Sequence, residues 1–208
     1  MQIRLQFRTL SNLVLAIIFA VSLYPVMPAA AQTAGVPVQT SQTAASWLDA
    51  QEYAGIVYLL YSSPSQIKRW DINTGNWLPD ILLSDTPTAF TVSPTDLFIA
   101  FGRRVSKFDL NGTGEFHLVN TTYNIISLHI ANQLLLVNYS YYPDGHFLSY
   151  NLITGTVIND RSFIYDVLVG VSAAPTIGKL FGRSTGISPS DIVQISFNSE
   201  GVIGSASD

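Results

Sequence analysis

The chain has 208 residues, 12% of them charged, a formal net charge of −4 and no cysteine. That length allows one medium domain once a leader is removed, but not comfortably two. The missing thiols exclude disulfides, thiolate metal sites and cysteine nucleophiles, and the mildly acidic balance argues against nucleic acid or an anionic membrane surface as partner, since both require clustered cations.

The N-terminus reads as an address. Arg4 and Arg8 are followed by a charge-free apolar stretch from Leu13 to Leu23, then by Pro25 and Pro28. Ala29-Ala30-Ala31 before Gln32 places small residues where a signal peptidase reads them. Residues 1–31 are therefore expected to be a signal peptide, and the mature chain to be secreted or otherwise extracytoplasmic, in a periplasm or at a cell surface. The apolar run is too short to span a bilayer comfortably, so no stable membrane insertion is expected after cleavage. Residues 32–48, rich in Gln, Thr, Ala, Gly, Val, Pro and Ser, read as a flexible spacer ahead of a repeat domain over 49–208.

From Ala54 the texture changes to short runs of β-branched, aromatic and leucine residues, punctuated by Gly, Pro, Asn and Asp. No long pattern at helical spacing interrupts them, which predicts an all-β fold. The first unit shows strands at Ile56 to Tyr61, Ile67 to Ile72 and Trp77 to Leu83, with its fourth strand unassigned. The second has Thr88 to Val92, Leu97 to Phe101, Val105 to Leu110 and Phe116 to Val119. The third has Ile125 to Ile130, Leu134 to Asn138, Phe147 to Leu152 and Thr156 to Ile158. The fourth has Val167 to Val171, Lys179 to Phe181, Ile192 to Phe197 and Val202 to Ile203.

These units are copies of one another. Ser63-Pro64-Ser65-Gln66-Ile67 through Asn73 recurs as Ser188-Pro189-Ser190-Asp191-Ile192 through Asn198, with intermediate copies at Val105 to Asn111 and Phe147 to Leu152. The intervals from Asp71 to Asp109, Asn151 and Ser196 are 38, 42 and 45 residues. Among repeat architectures without helices, a period near forty belongs to propeller blades. Within the repeated strand, one face carries Trp70, Phe108, Tyr150 and Ile195, then Ile72, Leu110, Leu152 and Phe197. The other begins with Ile67, Val105, Phe147 and Ile192. Period-two alternation holds in all four copies. The expected fold is a β-propeller-type array of about four four-stranded antiparallel blades. Propellers of this repeat length usually close with more blades, so an incomplete propeller, a piece of a longer protein, is expected, the alternative being a small four-bladed ring.

Asp71-Ile72-Asn73-Thr74-Gly75, echoed by Asn151-Leu152-Ile153-Thr154-Gly155, resembles the strand-and-turn signature of bacterial YVTN-type and quinoprotein-like propellers. The turn at Ser93-Pro94-Thr95-Asp96 is similar to turns in those families and in WD40 repeats, and Trp70-Asp71 spells the WD dipeptide. The Gly-His pair of a WD40 repeat is absent, so that family's hydrogen-bonded tetrad does not form. The resemblance covers roughly residues 54 to 205 and implies radial blades around a central channel. It carries over no catalytic residue, because this fold hosts many unrelated tasks.

Chemistry-bearing motifs are thin. His117, His129 and His146 fall on separate strands without metal-ligand spacing. No nucleophile elbow, phosphate loop or dinucleotide fingerprint occurs. Asp109-Leu110-Asn111-Gly112-Thr113-Gly114 looks like the opening of a calcium loop, but Asn120 stands where the bidentate carboxylate belongs, so a hairpin turn is the reading. Neither a metal nor a cofactor is expected. Asn111, Asn120 and Asn138 each begin an Asn-Xaa-Ser/Thr sequon.

The aromatic residues point further. With strands antiparallel, the loops between second and third strands open on the same face as the connections between blades. That face collects Arg103 and Arg104, the loop of Tyr141, Tyr142 and Asp144, the connection holding Tyr123, and the loop from Ser184 to Asp191. Tyr and Arg are enriched where proteins make contacts. These six residues, centred on Tyr141 and Tyr142, are the candidate binding site. The function expected is a non-enzymatic binding or scaffold module that contacts a protein or a carbohydrate. The alternative is a fragment of a propeller enzyme, quinoprotein-like or hydrolytic, whose catalytic residues lie on other blades.

Overall fold

A computed structural model describes residues 47–163, 167–185 and 192–207. The expected signal peptide, nearly all of the expected spacer and the loop residues 186–191 lie outside the described residues. The described chain is a β-propeller of four four-stranded antiparallel blades, each built in chain order. Blade 1 holds β1 (Trp47–Tyr53), β2 (Ile56–Ser62), β3 (Ser65–Asp71) and β4 (Asn76–Leu82). Blade 2 holds β5 (Ala89–Val92), β6 (Asp96–Phe101), β7 (Arg104–Asp109) and β8 (Phe116–Asn120). Blade 3 holds β9 (Ile125–Ala131), β10 (Leu134–Tyr141), β11 (Asp144–Asn151) and β12 (Thr156–Phe163). Blade 4 holds β13 (Leu168–Ala174), β14 (Lys179–Ser184), β15 (Ile192–Phe197) and β16 (Ile203–Ser207).

The strand missing from the first unit is β1, which begins two residues inside the segment expected to be spacer. Its sequence, Trp47 to Tyr53, hides it because it does not alternate in hydropathy. It is held partly by a polar device. The Gln51 amide donates to the Phe90 carbonyl at 2.8 Å and accepts from the Val92 backbone N–H at 3.2 Å, tying β1 to β5.

Packing follows the alternation of the repeated strand. At each joint between successive blades, one side of the earlier blade packs on the opposite side of the later one. Blades 1 and 2 share a core of Tyr58, Leu60, Ile67, Phe90, Leu97, Ile99 and Phe108. Blades 2 and 3 share Phe98, Ala100, Val105, Leu128, Leu135, Val137 and Tyr150. Blades 3 and 4 share Leu134, Leu136, Phe147, Phe163, Leu180, Val193, Ile195 and Phe197. Among the described residues, no such core joins blade 4 to blade 1. Phe108, Tyr150 and Ile195 are buried at these joints, but their blade 1 counterparts are not. Trp70 is half-buried, and Ile72 is 53% exposed. Both point away from blade 2, on a side where no other blade among the described residues lies against them.

Polar side chains reinforce the joints. Buried Arg69 donates to the Pro79 carbonyl in its own blade at 2.9 and 3.2 Å, and to the Leu110 carbonyl of blade 2 at 2.8 Å. Between blades 3 and 4, the Ser149 hydroxyl donates to the Gly201 carbonyl at 2.5 Å and Arg161 to the Ile203 carbonyl at 3.1 Å. Gly201 has φ +88°, and a Cβ there would strike Ile158 and Leu134 of blade 3, so the turn into β16 fits only without a side chain.

The strand-end carboxamides and carboxylates cap the turns that follow them, as their alignment predicts. Asp71 accepts from the backbone of Asn73 and Thr74, Asp109 from Asn111 and Thr113, and Asn151 from Ile153 and Thr154. In blade 4 the role moves two residues on, from Ser196 to Asn198, which accepts from Glu200 and Val202. The calcium-like segment is thus a turn closed by the Asp109 carboxylate. The Thr113 hydroxyl is also bonded to it and holds its pKa below the usual value.

Candidate binding site

Three loops meet at one end of the joint between blades 2 and 3. The Thr121 backbone N–H donates to the Arg103 carbonyl at 2.8 Å, and the Ile125 N–H to the Gly102 carbonyl at 2.8 Å. The Ser140 N–H reaches the Asn124 carbonyl at 3.4 Å. The β6–β7 turn, the connection from β8 to β9 and the end of the β10–β11 hairpin therefore share one edge, as strand direction requires.

Register places the aromatic rings. Across β10 and β11, Tyr139 pairs with His146 and Tyr141 with Asp144. Partners in antiparallel strands share a face, and residues two apart along a strand do too. Tyr139, Tyr141, Asp144 and His146 accordingly lie on the side turned toward blade 2. Tyr123 enters from the connection and stacks on Tyr141, with ring centroids 4.9 Å apart and planes at 20°. His146 sits beneath Tyr123 at 5.8 Å and stacks on Tyr139 at 4.9 Å and 17°. The buried Tyr139 hydroxyl lies 2.7 Å from both oxygens of Asp160, and burial together with that carboxylate raises the phenol's pKa. The result is an aromatic column, anchored at Asp160 and open at Tyr141.

The six expected site residues do not all join it. Tyr141 and Tyr142 are 65% and 69% exposed, Tyr123 is half-buried beside them, and Arg103 is exposed on the adjoining turn. Asp144 ends the hairpin opposite Tyr141 as a strand residue rather than a loop residue. Arg104 diverges from Arg103. It lies over the Phe101 ring at 4.7 Å and pairs with Glu115 at 2.6 Å and, more loosely, with Asp85 at 3.9 Å. Consecutive residues entering a strand point to opposite sides, and this one is committed to its own blade. Tyr139 and His146 join the column although neither is among the six, and His146 does so as an aromatic ring rather than as a metal ligand. Their parity with Tyr141 across the hairpin was the available signal.

A second concavity lies along the first strands of the blades. It is a cavity of about 490 Å³ walled by residues of β1, β5, β9 and β13, including Gln51, Thr91, Ser127, His129 and Ser172, and by Thr88 just before β5. His129 Nε2 lies 2.9 Å from the Ser127 hydroxyl, and burial lowers its pKa to about 4. In the unfolded chain the imidazole takes its proton near pH 6.5, whereas the folded chain refuses it until about pH 4. Stability is therefore complete above pH 6.5 and falls as pH drops toward 4. Urea unfolding at pH 7.5 and pH 4.5 should show a loss of about 2 kcal/mol that His129→Gln abolishes. Equal pH dependence in the variant would assign the loss elsewhere.

Among the described residues, no three His, Asp or Glu side chains gather as a metal site, and no helix is long and apolar enough to cross a membrane. No protein-family model matches the sequence, and no curated protein does. Solved structures do resemble the fold. The hydrazine synthase of Kuenenia stuttgartiensis aligns over 72% of this chain and 50% of its own, at 12% identity and a TM-score of 0.57. The computationally designed Ika4 protein aligns over 73% of this chain and 92% of its own, at 15% identity and a TM-score of 0.57. The designed Ika8 protein aligns over 76% of this chain and 44% of its own, at 15% identity and a TM-score of 0.53. The chain thus matches about half the length of the synthase chain. At these identities the likeness is one of fold, and the fold these comparisons share with the chain is the β-propeller.

Proposed function

We propose that this protein is an exported, non-enzymatic binding module that takes up a protein or carbohydrate partner on the tyrosine column between blades 2 and 3. The observation that carries the reading is the Tyr123–Tyr141 stack, which presents exposed aromatic surface on a support of antiparallel strands. Side chains ordered before binding lose little conformational freedom when a partner arrives. Tyrosine offers an apolar ring with a hydroxyl able to donate and accept, which suits sugar faces and peptide backbones alike. Export rests on the basic Arg4 and Arg8, the apolar stretch after them and Ala29-Ala30-Ala31. The strand-and-turn likeness to YVTN-type and quinoprotein-like repeats fits the same setting.

The test is the double substitution of Tyr141 and Tyr142 by Ala, applied to a glycan array and to proteins captured from the native extracellular medium. Circular dichroism should show an intact β fold while capture weakens by about a hundredfold, the loss of two aromatic contacts at a hot spot. Arg104→Gln, which lies off the column, should leave capture unchanged. Undiminished capture by the folded double variant would refute the site.

A further inference from the structure

The repeat supplies its own control for surface exposure. Ile67, Val105 and Phe147 occupy one position in blades 1 to 3, and each is fully buried against the following blade. Ile192, their counterpart in blade 4, is 74% exposed. On the opposite side, Ile99 of blade 2 and Val137 of blade 3 are fully buried against the preceding blade. Leu59, at the same position in blade 1, is only half-buried, as are its neighbours Val57, Tyr61 and Trp70, and Ile72 beside them is 53% exposed. Blade 4 adds half-buried Phe181 to its outward side. The described blades therefore leave one following and one preceding face uncovered, apolar at Ile192 and Phe181 on the first and at Leu59, Val57 and Tyr61 on the second, while exposed Arg183 stands where the other blades bury Leu60, Ala100 and Asn138.

We infer that a second copy of this chain completes both faces, blade 4 of each copy packing on blade 1 of the other. The argument is continuity with the joints already present. Each of them sets a following face against a preceding face, and the two unpartnered surfaces are one of each kind. A head-to-tail contact of this type either closes into a ring or runs on as a filament. Propellers close with about four to eight blades, so two sets of the four described blades fit one ring and three sets do not. In such a ring the cavity along β1, β5, β9 and β13 gains a second wall from the partner, so the concavity of one chain is half of the whole. Exposed apolar surface on both end blades is what this assembly would remove from water.

The intact chain at micromolar concentration should have twice the chain mass by light scattering and native mass spectrometry. Leu59→Glu damages the preceding face and Ile192→Glu the following face, so each alone should give monomers, with dissociation at least about a hundredfold easier for a buried charge in both joints. Mixed together, the two variants should pair again, because one joint of the mixed ring joins two undamaged faces. If Leu59→Glu does not keep a β spectrum, Ile72→Glu serves on the same face. A monomeric wild-type chain, a filament, or a dimer that only one of the two substitutions dissociates would each overturn the inference. The last would mean that like faces pair.

Discussion

Arg69→Ala is expected to lower stability by about 4 kcal/mol, among the largest losses of any single truncation in blade 1. The guanidinium is buried and reaches carbonyls on two blades, Pro79 in its own and Leu110 in the next. Charge-assisted bonds contribute more than neutral ones, and their removal leaves those carbonyls facing a cavity rather than water. The chain reports the event by itself. Its three tryptophans, Trp47, Trp70 and Trp77, all lie in blade 1. In the variant, tryptophan fluorescence should change at lower urea than far-ultraviolet circular dichroism, which averages all four blades. Coincident transitions would show that Arg69 stabilises the fold as a whole and not the first joint.

Phe147→Ala should cost about 4 kcal/mol and lower the melting temperature by about 10 °C. Phe147 is fully buried between blades 3 and 4, edge-on to Phe163 at 6.0 Å and 81°, so truncation leaves a cavity walled by β strands on both sides. Strands in two hydrogen-bonded sheets cannot collapse into that space without breaking register. Calorimetry measures the change, and a shift of only a degree or two would mean that the joint relaxes around the gap.

The blades were legible because one strand type is written four times, and its alternation fixes which residues meet the next blade. Trp70 shows the limit of that argument. It occupies the position of Phe108 and Tyr150, yet burial depends on what lies opposite, which a repeat at the end of an array does not specify. The β1 strand was illegible for a different reason. Gln51 replaces apolar contact by hydrogen bonds, so hydropathy carries no trace of it. At the candidate site, strand direction alone brought Tyr123 and Tyr141 to one edge. The column beneath them needed the hairpin register that pairs Tyr139 with His146, which follows from a turn reduced to Tyr142 and Pro143. The Ser184 to Asp191 loop, expected on the same face, has residues 186–191 outside the described residues.

Asn138 carries a consequence of another kind. It begins a sequon, yet in the folded chain it is fully buried, and its side-chain amide donates to the Leu168 carbonyl of β13. Asn111 and Asn120, by contrast, are exposed. In a compartment that attaches glycans to nascent chains, Asn138 would emerge before the residues of blade 4 that cover it. Sugar transfer and blade docking would then compete for the same side chain, and a sugar added first would wedge apart the joint between blades 3 and 4. The yield of folded protein from such a host would be set by that race, and Asn138→Asp would remove one of the runners.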